Sequence, residues 1–213
     1  MTSIDQELLE RWRRLLRPLG CPDNAAERAF VETARHYRSP ERHYHTLLHL
    51  AAVLDTIDHL CEANPPPPAL LLAAWLHDVI YDSRASDNEE RSAAYAQSLR
   101  EPLGLDTALT DEAARLILLT RAHQTTADDH CGQLLLDADL AILGAAPEEY
   151  DRYAQAIRRE YAWVPEEEYR RGRAAVLERF LQRPRLFHTA SLHDRVEAQA
   201  RRNLLAELTV LRG

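Results

Sequence analysis

Residues 69–82 read ALLLAAWLHDVIYD. Through Leu76 this run is apolar on nearly every side, which is the pattern of a central helix packed all round, not of an amphipathic helix at a surface. His77 and Asp78 follow at its end, where ionisable groups are costly unless something pairs with them. A divalent cation is one natural partner, since imidazole offers a lone pair and carboxylate offers charge. The bland reading is a structural histidine hydrogen-bonded to the neighbouring acid.

Upstream of this helix, NPPPP (64–68) forms a stiff connector, because each proline pushes the residue before it out of the helical region. Before that, Leu50, Val53, Leu54, Ile57 and Leu60 repeat at helical spacing and define a helix entered through the turn SPERHYH. Earlier still, one helix runs from about Ser3 to near Pro18 and Gly20, and a second begins after Pro22 and Asp23 and runs to about Tyr37. Downstream, SDNEERSAAYAQSLRE has a cap and acids in its first turn and reads as a more exposed helix. TDEAARLILLTRAH, LLLDADLAILG, PEEYDRYAQAIRREYAWV, PEEEYRRGRAAVLERFLQR and a last helix from about Leu192 to Leu211 complete the set. Only six glycines and no β-branched alternation leave no strand to propose, so the expected class is all-α.

At 213 residues the chain suits one sizeable helical domain spanning 1–213. A hydrophobic share of 46% beside 28% charged residues is the balance of a globular chain, not a disordered one. No apolar run has bilayer length, and the N-terminal MTSIDQELLERWRRLLRPLG lacks the apolar core of a signal peptide, so a cytoplasmic protein without a membrane partner is expected. Cys21, Cys61 and Cys131 are odd in number and widely spaced, which suits neither a zinc ribbon nor a disulfide framework. The net charge of −8 argues against a nucleic-acid polymer as partner, although a local cluster of cations can still bind a small anion.

Two further signals stand near the His-Asp pair. In HYHTLLHL, His45 and His49 are four residues apart, a spacing that puts both on one helical face as two ligands or as a ligand and its neighbour. In LLLDADLAILG, Asp137 and Asp139 interrupt apolar sequence, either as functional acids or as a cap and turn between short helices.

A histidine, then a His-Asp pair, then a distant aspartate, each in apolar helical sequence, resembles the HD superfamily of metal-dependent phosphohydrolases. RHYH, AAWLHDVIYD, NEERSA, DADLAILG, IRREYA and ARRNLLAEL look like one bacterial branch of that superfamily and extend the likeness from Arg42 to Leu208. The resemblance implies an HD-domain helical bundle. It carries the metal ligands over to His49 (with Val53 four positions on), His77, Asp78 and Asp139. His45 and Asp137 then stand beside the ligands, and a shift of one turn would exchange His45 for His49.

The cofactor so implied is one divalent ion: manganese, magnesium, cobalt, iron, nickel or zinc. Such an ion lowers the pKa of a bound water and polarises a phosphoryl group, which suits hydrolysis of a phosphate ester, foremost of a nucleotide. Asp78 would also orient the water or move its proton. Arg42, His45, His123 and Arg158 are the candidates for substrate oxygens, and Asp82 and His123 are further catalytic candidates. Each has a plainer alternative: Arg42 as a turn residue, His123 as a helix C-terminal cap, Arg158 paired with Glu160 or Glu149. Tyr81 stands where certain relatives have a glutamate. A metal-retaining regulatory module that binds nucleotide with little turnover is the competing function. A two-iron oxygenase would need extra ligands between the His-Asp pair and the last aspartate, where only His123 and His130 are on offer. A homodimer is the expected assembly.

Overall fold

The computed structural model describes residues 3–213, and among these there is no strand, so the fold is all-α. The chain divides into two compact units, the first ending at Leu135 and the second running from Leu136 to Gly213. The division falls inside one continuous helix.

In the first unit, α1 (Ser3–Leu16) and α2 (Asp23–Tyr37) pack as neighbours. Gly20 turns the chain between them at φ 81°. That left-handed conformation costs a side-chain-bearing residue more than it costs glycine. Leu8, Trp12, Leu15 and Leu16 line the buried face of α1 at helical spacing. The Trp12 indole Nε1 donates to the Ala26 carbonyl at 3.0 Å, and its ring meets Trp75 edge-on with centroids 5.0 Å apart. Trp12 therefore buries its large apolar surface without leaving its one donor unpaired.

Next come α3 (Leu47–Leu60), α4 (Pro68–Leu76), α5 (Asn88–Ser98), the short α6 (Arg100–Leu103) and α7 (Thr107–Leu119). The apolar run that opened the sequence reading is α4, which packs against α1, α3, α5 and α7. Leu70, Leu72, Ala73, Ala74, Trp75 and Leu76 along it are all buried. Truncating Leu70 or Leu76 to alanine at such positions costs about 2–5 kcal/mol through lost burial and the cavity left behind. The prolines of the connector do more than stiffen it: Pro68 opens α4 at a position where a missing N–H costs nothing.

α8 (His130–Leu140) contains the boundary between the units. Its start is fixed within the first unit by Asp129. That carboxylate accepts from the Gly132 amide at 3.0 Å, the Thr125 hydroxyl at 2.9 Å and both terminal nitrogens of Arg115 at 2.7 and 3.1 Å. A side chain at Gly132 would collide with this cap, its Cβ falling 2.6 Å from both the Asp129 Oδ2 and the Thr125 Oγ1.

The second unit holds α9 (Pro147–Glu160), α10 (Glu166–Leu181) and α11 (Ala190–Arg212), with a 3-10 turn at Ala141–Gly144 packed on α11. Gly144 allows that approach, since a Cβ there would lie 2.5 Å from the Cβ of Val196. Glu197 on α11 holds the incoming loop by accepting from the amides of Leu186 and Phe187, while Arg201 neutralises it at 2.8 Å. A second charged group ties α10 to α11, where Arg173 reaches both carboxylate oxygens of Glu207 at 2.7 and 3.0 Å.

Bonding to Arg115 lowers the Asp129 carboxyl to about 2 from its ordinary 3.8. A carboxyl depressed on folding stabilises the native state above its unfolded value and loses that contribution as pH falls through the folded one. Unfolding midpoints of wild type and Asp129→Asn, measured by denaturant titration, should therefore differ fully above pH ~4 and converge as pH falls towards ~2. A constant offset across this range would rule out the Arg115–Asp129 bond as the cause.

Candidate metal centre

Three side chains of the first unit meet where α4 ends. His77 is the C-cap of α4 and is buried, and its Nδ1 lies 2.9 Å from the Ala74 carbonyl oxygen. A carbonyl only accepts, so Nδ1 carries hydrogen and the neutral ring turns the lone pair on Nε2 the other way. There it faces Nε2 of His49, 3.2 Å away on the first turn of α3. Two imidazole lone pairs at this distance repel unless something positive lies between them, a proton or a metal ion. Asp78 supplies negative charge to the same spot, with Oδ2 3.2 Å from His77 Nε2 and 3.5 Å from His49 Nε2. Burial works to raise the Asp78 carboxyl, but the imidazoles of His77, His45 and His49 beside it outweigh that and hold the group well below its ordinary range.

Asp139, near the end of α8, completes the set. His49, His77, Asp78 and Asp139 each offer a ligand atom, all within 4.8 Å of one another. The donor chemistry fits a divalent ion of the manganese-to-zinc series: two imidazole nitrogens and two carboxylates, the imidazoles buried and the acids partly so. Two carboxylates beside two neutral imidazoles carry two negative charges, which a dication would balance.

The positions of the two histidines in HYHTLLHL follow from where α3 begins. Its N-cap is Thr46, whose hydroxyl accepts from the Leu48 amide at 3.3 Å. His45 therefore precedes the helix and does not share a helical face with His49, contrary to the four-residue reading. It still reaches the centre from the loop, with Nε2 4.0 Å from Asp78 Oδ2 and its ring stacked on Tyr81 at 4.0 Å between centroids. Tyr44 packs against both His45 and His49, so aromatic rings flank the histidines.

Other residues proposed from sequence have different tasks. Arg42 is buried and donates to the carbonyls of His45 (3.1 Å), Asp78 (2.7 Å) and Val79 (2.9 Å). Its terminal nitrogens are thus directed at backbone oxygens where a substrate-phosphate ligand was expected. Arg158 donates to the Tyr161 and Val164 carbonyls at 2.7 and 3.2 Å and to Glu166 at 3.1 Å, closing the turn between α9 and α10. Its partner is Glu166, neither Glu160 nor Glu149. Asp82 is exposed, and its carboxylate accepts from the Arg84 amide at 2.9 Å while Asn88 brackets its backbone at 3.0 and 2.9 Å. These bonds shape the loop after the His-Asp pair. His123 lies beyond α7 with φ 48°, the positive-φ residue other than glycine among those described, its N–H donating to the Leu119 carbonyl at 2.9 Å.

Asp137, a neighbour of the ligands in sequence, is a structural anchor. Buried, it accepts from the amides of His188 and Thr189, both at 2.7 Å, and from the Thr189 hydroxyl at 2.6 Å, setting the start of α11. Sequence reasoning missed Ser92, whose buried hydroxyl accepts from the Ile80 amide and donates to the Ile80 carbonyl at 3.1 and 3.2 Å. It also missed Tyr37, whose hydroxyl donates to the Trp75 carbonyl at 2.9 Å.

No family model, curated protein or solved structure matches this chain.

Removing Asp137 strands two part-buried backbone donors and the Thr189 hydroxyl, so Asp137→Ala should lower stability by about 2–3 kcal/mol, read as a shift of the urea midpoint. A shift under about 0.5 kcal/mol would remove the anchoring role assigned to it.

Proposed function

We propose that this chain is a metal-dependent phosphohydrolase of the HD type, cleaving a phosphate ester of a small molecule, with nucleotides as the expected substrate class. The observation that carries this reading is the convergence of His49, His77, Asp78 and Asp139 within 4.8 Å, from three separate stretches of the chain. These are the residues that the resemblance assigns as ligands, in the order histidine, His-Asp pair, aspartate.

His49 and His77 would hold the ion through Nε2, and the bond from His77 Nδ1 to the Ala74 carbonyl fixes the tautomer that leaves Nε2 free to bind. Asp78 and Asp139 would supply the anionic ligands. A divalent ion bound there supplies electrophilic activation of a phosphoryl group and acidifies water at neutral pH. Asp78, partly solvent-accessible, would orient a water and take its proton. His45, stacked on Tyr81 beside Asp78, is the side chain we set against the substrate, where its ring nitrogen can donate to a phosphate oxygen.

The test is reconstitution. Protein stripped with chelator is loaded separately with manganese, magnesium, cobalt, iron, nickel or zinc, and assayed against a nucleotide panel and an aryl phosphate. Turnover should return with at least one metal and fall by about a hundredfold or more in Asp78→Ala, beyond the loss typical of a residue that only supports a ligand. Tight binding of one ion with no turnover above Asp78→Ala would replace the hydrolase with a nucleotide-binding regulatory module. Absence of metal binding would sink both.

A further inference from the structure

We propose that Arg42 is the positioning residue of the metal centre, presetting the His77–Asp78 turn and the entry to α3 through one buried guanidinium. The inference rests on the metal reading above and adds a residue to it that touches neither ion nor substrate.

The argument starts from the carbonyls that a helix leaves without partners at its C-terminus. α4 ends at Leu76 inside the first unit, so these groups need donors from elsewhere. The Ala74 carbonyl faces His77 Nδ1, the Trp75 carbonyl accepts from the Tyr37 hydroxyl, and the Leu76 carbonyl accepts from the Val79 amide. Asp78 and Val79 come next, and both of their carbonyls accept from Arg42, one from each terminal nitrogen. Ser92 takes both backbone groups of Ile80.

Arg42 differs from the other donors in reaching two ligand-bearing segments at once. The Nη1 that donates to Asp78 also donates to the carbonyl of His45, immediately before the N-cap of the helix bearing His49. One rigid planar fork thereby sets the Asp78 backbone against the first turn of α3. That is the separation which places His49 Nε2 3.2 Å from His77 Nε2. The guanidinium carbon itself lies over the rings of Tyr37 and Tyr81, at 5.1 and 5.6 Å from their centroids. Both distances are within the reach of a cation–π attraction. Since Tyr81 also stacks on His45, the same contacts orient that side chain.

Metal-depleted wild type, Arg42→Met, Arg42→Lys and His77→Ala are compared, with fold checked by far-UV circular dichroism. Manganese(II) affinity is read by calorimetry, the cobalt(II) visible spectrum reports coordination, and hydrogen exchange of the Val79 and Ile80 amides reports the turn without metal. In Arg42→Met we expect manganese affinity to fall by about tenfold to a hundredfold, as for residues that orient ligands, with an altered cobalt spectrum and faster exchange at both amides. Arg42→Lys should lie between it and wild type, and millimolar guanidinium ion should restore part of the affinity of Arg42→Met. Folded Arg42→Met with wild-type affinity, spectrum and exchange would overturn the proposal. If Arg42→Met does not fold, Arg42→Lys decides on the same readouts. Failure of the underlying metal reading looks different: wild type then binds no more manganese than His77→Ala.

Discussion

A helix that ends among buried side chains must hand its last carbonyls to donors outside itself, and α4 is such a helix. Its residues are apolar because it is surrounded, and being surrounded it ends where water cannot serve as the partner. The donors that replace water are Tyr37, His77, Arg42 and Ser92, drawn from α2, the turn itself, the loop before α3, and α5. Each satisfies the backbone, and together they fix where His77 and Asp78 point. The chemistry of the centre and the packing of the first unit thus have one physical origin.

This explains how one imidazole can be fully buried without becoming inert. His77 spends Nδ1 on a backbone acceptor three residues earlier, which leaves its other nitrogen with a defined direction and a defined lone pair. His49 arrives from α3 with an equivalent nitrogen, and Asp78 stands beside both. Helix α8, capped firmly by Asp129 at its start, carries Asp139 one turn beyond Leu135. Helices therefore present His49 and Asp139, while His77 and Asp78 sit on a turn whose backbone is held by hydrogen bonds.

Fold class was readable from the sequence because helical periodicity is local: the buried faces of α1, α3 and α4 repeat within a few residues of one another. The four prospective ligands were readable for a related reason, as ionisable residues set in apolar sequence where plain packing would exclude them. What escaped was the partner of each hydrogen-bonding side chain. Arg42 bonds carbonyls 36 and 37 residues away, Asp137 bonds amides 51 and 52 residues away, and Ser92 bonds a residue 12 away. An arginine beside a metal motif looks the same in sequence whether it faces a phosphate or a peptide oxygen. The start of α3 also misled, since His45 and His49 have helical spacing although the N-cap falls between them.

The uses of the arginines bear on how an anion would be recognised. Arg42 and Arg158, the two offered by the sequence, are turned towards backbone carbonyls, and a guanidinium so engaged has few donors left for a phosphate. The chain as a whole is acidic, at −8, so no long-range field draws an anion in. On the proposed reading, the positive charge that meets the substrate is then mainly that of the ion, aided by His45. The ion would serve in recognition as much as in activation, and the protein's own cations would act one step further back, on the backbone that holds the ligands.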